Sequence, residues 1–125
     1  MGLILPDTNI LILALANQEH YGDLLTTWIT QKKLALSPVV VAEFLIKATP
    51  KETKSFNQLT NRFPVIPIDL ETAQVAAKIR KTSLAQKKKL ILPDCLIAAQ
   101  CQIHKLTLAT LNQKDFPKKL KLFPL

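Results

Sequence analysis

Hydrophobic positions change period several times along the chain, and each change marks an element. Leu3, Ile4 and Leu5 form a short unalternating run, as in a strand buried on both faces. Ile10, Leu11, Leu13 and Ala14 then follow at helical spacing and predict a helix from about Asn9 to Ala16. Leu24, Leu25, Trp28 and Ile29 predict a second helix from Tyr21 to Gln31, with Trp28 in the core. Lys33 to Ser37 reads as a second strand, and Ser37 with Pro38 supplies the N-cap and first-turn proline of a third helix, PVVVAEFLIK. Thr49 to Lys54 restarts the chain, and Phe56, Leu59 and Phe63 place a short amphipathic helix before Pro64. Val65 to Ile68 reads as a third strand despite Pro67, and Asp69 opens a long helix through Ile79. Leu90 to Leu92 leads through Pro93 and Asp94 into CLIAAQCQI, apolar around most of its circumference like a central buried helix. Leu106 to Thr110 is a fourth strand, LNQKDF a turn, and Lys121 to Phe123 a short final strand. The β-α alternation predicts an α/β fold with a mostly parallel sheet of four to five strands and helices on both faces.

Composition narrows this picture without redrawing it. The 125 residues, 48% hydrophobic with two glycines and no internal repeat, fit a single domain over 1–125 and exclude disordered and fibrous classes. The uncharged span Thr8 to Gln18 falls short of the ~20 apolar residues of a membrane crossing. ILILALA is preceded by Asp7 and by no lysine or arginine, unlike a signal peptide, and Pro6 stands where a myristoylation signal needs Ser or Thr. Cys95 and Cys101 lie on different faces of one helix, so a disulfide between them is not expected, and two free thiols suit a soluble protein of a reducing cytoplasm. A net charge of +8 favours a polyanionic partner such as RNA, DNA or an acidic protein, with solubility as the plainer explanation. The basic residues Arg80, Lys81, Lys87, Lys88 and Lys89, and later Lys118, Lys119 and Lys121, read either as solvated faces or as phosphate contacts.

The acids carry the candidate chemistry. Asp7 falls between the first strand and first helix, where open parallel sheets keep their sites, and is either a helix cap or a metal ligand or catalytic acid. Glu43 lies four residues after Val39 and three before Ile46, on or beside an apolar stripe. Asp94 is the only acid on the most apolar helix, where an unpaired carboxylate is costly and calls for a cation. Asn112 and Asp115, after the fourth strand, repeat the placement of Asp7. Asp69 and Glu71 are first-turn acids suited to capping, and His20 and His104 have no partner at metal-binding spacing and read as structural. One parallel sheet can bring Asp7, Glu43, Asp94 and the Asn112–Asp115 turn to one edge. Carboxylates gathered without basic neighbours repel one another, and a hard divalent cation, Mg²⁺ or Mn²⁺, is the physical remedy. Ions so held activate water against a phosphodiester, which is hydrolysis of a nucleic-acid backbone.

Four blocks, PDTNILI, SPVVVAEFL, LPDCLIAAQC and LTLATLNQKDF, in this order and across essentially the whole chain, resemble the PIN-domain ribonucleases, and most of all the VapC toxins of type II toxin–antitoxin systems. The resemblance implies a three-layer α/β/α sandwich and a Mg²⁺- or Mn²⁺-dependent endoribonuclease. It implies an acidic quartet of Asp7, Glu43, Asp94 and the LNQKDF turn, supported by Thr8, Asn9 and Thr110. Many relatives have an aspartate where this chain has Asn112, with a second acid three residues on. The fourth ligand is therefore Asp115 or Asn112, and Asp115 is expected, with Asn112 as helper. The same likeness implies a homodimer and a cognate antitoxin that occludes the acids, often with an arginine, while Lys87, Lys88, Lys89, Lys118 and Lys119 would contact RNA. Asn112 is also the best support for the alternative, a catalytically inactive PIN-like module that binds RNA or protein through its basic surface. Receiver and Asp-x-Asp phosphatase folds fit less well, because Asn9 follows Asp7 where they need an acid and neither explains Glu43.

Overall fold

At the centre of the fold the two ends of the chain meet. In the computed structural model, which describes residues 2–87 and 90–125, strand β1 (Ile4–Pro6) pairs in parallel with β2 (Thr107–Ala109), Leu5 opposite Leu108. All six residues are buried, as strands covered on both faces must be. Single parallel bridges continue the sheet from Ile4 to Leu34, from Leu36 to Val65 and from Leu108 to Leu122. The five segments therefore lie side by side in the order third, second, first, fourth, fifth. The expected strands at 33–37, 65–68 and 121–123 are present as these bridges and not as full ladders. Around Val65 the reason is visible: Pro64 and Pro67 have no N–H to donate, so only the bonds from Leu36 N to Pro64 O and from Ile66 N to Leu36 O form.

The helices begin where side chains can satisfy their free N–H groups. They are α1 (Thr8–Leu15), α2 (Tyr21–Thr30), α3 (Pro38–Lys47), α4 (Pro50–Arg62), α5 (Leu70–Ala85) and α6 (Leu92–His104). Asp7 caps α1, Ser37 caps α3, and Thr49 with Glu52 forms a reciprocal capping box on α4. Asp69 caps α5, accepting from Thr72 N and Oγ1 at 2.9 and 2.8 Å. Those bonds hold its carboxyl below the usual range, which makes Asp69 the capping acid its position predicted.

The core contains Trp28, Phe56, Phe116 and the aliphatic residues of both strands, with Phe44 stacked on Phe56 at 4.4 Å and Trp28 edge-on to Phe123. On α3 the buried face is Val40 and Phe44, whereas Ile46 is 78% exposed, so Glu43 flanks the Val40–Phe44 ridge instead of sitting on a Val39–Ile46 stripe. Cys95 and Cys101 are buried free thiols, and burial, followed by the charge of Asp7, pushes Cys101 up to about 12. Gln100 breaks the apolar character expected of α6. Fully buried, it accepts from Ser37 Oγ at 2.6 Å and donates to Ile66 O at 2.7 Å, locking α6 to the start of α3 and to the segment after α4. Among the described residues no helix is long and apolar enough to cross a membrane.

Candidate functional site

The β1–β2 pair places Asp7 and Thr110 side by side, each just past the carboxyl end of its strand. Asp7 Oδ1 accepts from Thr8 N at 2.8 Å and Oδ2 accepts from the Thr110 hydroxyl at 3.0 Å. Asp7 thus caps α1, one of its two readings, and a second tether holds its carboxylate in a fixed orientation. Thr8 extends the set, its hydroxyl donating to Glu43 Oε1 at 2.6 Å and so tying α3 to the start of α1. Thr110 Oγ1 accepts in turn from Asn112 N at 3.1 Å, which fixes the start of the 3₁₀ turn Gln113–Asp115. Gln113 Nε2 anchors that turn by donating to Phe123 O.

Asp94 stands half-buried in the first turn of α6. Burial, and then the charges of Asp7, Glu43 and Asp115, push its carboxyl up to about 6. Asp7 is also raised, chiefly by burial and further by Glu43, against the lowering effect of its bonds from Thr8 and Thr110. The other three acids singled out in the sequence therefore lie within electrostatic reach of Asp94, and Glu43 lies within reach of Asp7. Among the described residues no lysine or arginine contributes to the balance at Asp7 or Asp94. Asn9 is exposed, and its side chain makes no hydrogen bond among the described residues. Asn112 caps the 3₁₀ turn without a side-chain bond.

An all-oxygen set of this kind suits a hard cation. Among the described residues no three or more His, Cys, Asp or Glu side chains are grouped so that they could hold a metal ion by themselves. Mg²⁺-type sites use one or two carboxylates, keep several waters and accept substrate phosphate in place of a full protein cage.

The basic residues divide by position. Lys118 and Lys119 line a cavity of about 870 Å³, together with Lys78 and Lys114, and Asp115 lies on its wall. Lys78 and Lys114 were not singled out in the sequence, although Lys114 lies inside LNQKDF. Lys87 is exposed just past α5 with a left-handed backbone, φ 56°, and Lys88 and Lys89 lie outside the described residues. Arg80 does not belong to a solvated basic face: its guanidinium donates to Leu90 O at 2.9 Å and tethers the approach to α6. A second cavity, of about 600 Å³, lies against Thr110, Asn112 and Asp115 and is bounded by His20 and Tyr21. The sequence offered no signal for it.

A family model for the PIN domain matches residues 4–121. The chain is similar to Ribonuclease VapC of Rickettsia bellii (strain RML369-C), with 32% identity over 127 residues covering 94% of this chain and 90% of that protein. Among solved structures it resembles a toxin–antitoxin complex from Klebsiella pneumoniae, at 29% identity and a TM-score of 0.76, covering 97% of this chain and 96% of that one. It shares its fold with VapBC2 of Rickettsia felis bound to a promoter DNA fragment, at 21% identity and a TM-score of 0.79, covering 97% of each chain.

Proposed function

This chain belongs to the PIN-domain family, and from that premise we propose that it is a ribonuclease, the toxin of a toxin–antitoxin pair, and that its activity depends on a divalent cation held by Asp7, Glu43, Asp94 and Asp115. The observation that carries the reading is the convergence of Asp7, Glu43 and Asp115 on Asp94, whose carboxyl burial and these three charges raise to about 6, with no lysine or arginine among the described residues offsetting it there. Repulsion left standing in this way costs stability, and a bound divalent cation relieves it. Mg²⁺ or Mn²⁺, when bound, would supply positive charge for a phosphodiester and a more acidic water.

The chain's own residues perform the positioning. Thr8 N and the Thr110 hydroxyl fix both oxygens of Asp7, and the Thr8 hydroxyl fixes Glu43, so two acids from different elements are held before any ligand arrives. Asp94 titrates near 6 and is therefore mostly ionised at neutral pH, ready to act as an oxygen donor. Asp115 is the fourth donor and Asn112 its neutral neighbour. Lys78, Lys114, Lys118 and Lys119 offset the repulsion that the acids exert on RNA phosphates. A protein antitoxin fits the same chemistry, since a cationic side chain delivered to the acids would both neutralise them and exclude the metal. We further propose a homodimer.

Purified protein is expected to cleave a broad cellular RNA pool with Mg²⁺ or Mn²⁺, and to lose that activity in excess chelator and in Asp7→Asn. Cleavage that persists in either case rejects the metal mechanism. Tight, salt-sensitive RNA binding without cleavage would identify an inactive binding module.

A further inference from the structure

The two cavities beside the acids share only Lys114 and Asp115 among their lining residues. The 3₁₀ turn is thus a ridge with a different chemistry on each side. The larger cavity has an apolar floor that includes Ile79 and Pro117, with Lys78, Lys118 and Lys119 around it. The smaller one has two aromatic rings, His20 and Tyr21, with centroids 4.4 Å apart and planes inclined by 31°, set opposite Asn112 and Gln113.

Two details separate the smaller cavity from ordinary surface. His20 is the N-cap of α2 and Asn112 is the N-cap of the 3₁₀ turn, yet neither side chain makes a capping bond. The Asn112 amide stays available beside the aromatic pair, as does the imidazole of His20 within it, although asparagine at such a position can turn inward to the free N–H groups. The cavity also includes Thr110, the residue that holds Asp7, so a group seated in it lies next to the reacting edge.

We propose that the His20–Tyr21 cavity is a nucleobase subsite, which takes one unstacked base of a single-stranded RNA whose backbone crosses the Lys114–Asp115 ridge toward Lys78, Lys118 and Lys119. This deepens the ribonuclease reading and rests on it. Aromatic rings accept any base face, and side-chain amides and imidazole meet base edges, which is how proteins read splayed single strands. Lysines across the ridge match the phosphates that follow. The Asn112 amide then contacts substrate, and the acid left to complete the quartet is Asp115.

The test begins with an RNA oligonucleotide containing a bond that the wild type cleaves. Its binding is measured by fluorescence anisotropy to the Asp94→Asn chain in chelator, so that nothing is hydrolysed. On that background Tyr21→Ala is expected to weaken binding by roughly 5- to 100-fold, the range that base stacking supplies, with an unchanged salt slope. Tyr21→Phe, which keeps the ring, is expected to restore affinity, and the exposed His20→Ala gives a smaller loss with no core contact at stake. Lys118→Ser with Lys119→Ser is expected to flatten the salt slope instead. Replacing nucleotides one at a time by abasic ribose is expected to abolish the Tyr21→Ala effect at one position near the cleaved bond and nowhere else. Wild type that cleaves no RNA overturns the ribonuclease reading and the subsite together. Wild type that cleaves, with affinity unaffected by Tyr21→Ala and His20→Ala at every abasic position, overturns the subsite alone, as does displacement of the RNA by an acidic peptide whose own binding depends on Tyr21.

Discussion

Ser37 with Gln100, and Asp7 with Glu43, Asp94 and Asp115, are two polar clusters within one fold. In the first, every partner is neutral and present: Gln100 accepts from Ser37 and donates to Ile66 O, while Ser37 also caps α3. In the second, the hydrogen bonds from Thr8 and Thr110 orient carboxylates whose charges remain opposed. A buried polar network that is complete stabilises and specifies a fold, whereas one left incomplete costs free energy. On the proposed reading the acid edge is completed by a cation from outside, whereas the Gln100 network needs nothing further.

The contrast can be broken experimentally. The largest effect is expected at Asp94→Asn, which should lower the rate of RNA cleavage on the order of 10³-fold while the chain still folds, as judged by circular dichroism. Gln100→Leu should show the reverse pattern. It leaves the Ser37 hydroxyl proton without its acceptor and Ile66 O without its donor, and is expected to destabilise by about 2–4 kcal/mol in denaturant unfolding, with little change in activity per folded molecule. If Gln100→Leu abolished cleavage in fully folded protein, the division between the clusters would fail.

Thr110→Val tests whether orientation matters beyond charge. Loss of the bond to Asp7 Oδ2 is expected to reduce metal affinity or cleavage by about 10- to 100-fold, read in a metal titration of activity. The smallest effect concerns stability without metal. Because the Asp94 carboxyl is raised to about 6 in the folded chain, above its ordinary 3.8, its ionised form costs stability above pH 6 and that cost disappears as pH falls through 6 toward 4. Asp94→Asn should therefore stabilise the metal-free protein at pH 7 by about 1 kcal/mol, after discounting for solvent screening. Unfolding curves at pH 7 and pH 4 should show that advantage shrinking on acidification.

The two clusters differ as much in how far they can be read from sequence. Asp7 and Asp94 are legible because each interrupts a run too apolar to tolerate a lone charge, and Glu43 because it adjoins an apolar ridge. Gln100 is not, since helical periodicity registers a mostly apolar helix and treats one amide within it as a surface position. The parallel order of the sheet follows from alternating elements, but the shrinkage of three strands to single bridges is decided by prolines and by neighbours distant in sequence, as at Val65. Arg80 reads as one of a basic run because sequence does not reveal the Leu90 carbonyl it reaches. The His20–Tyr21 cavity is the extreme case: residues 20–21, 110–115 and 125 meet only in the folded chain.

The central claim is that the coupled acids hold a divalent cation, and calorimetric titration of Mn²⁺ into the RNA-free protein tests it most directly. Saturable binding is predicted for the wild type and for Gln100→Leu, with affinity lost in both Asp7→Asn and Asp94→Asn. Equal Mn²⁺ binding by all four proteins, or none by the wild type, would contradict the account.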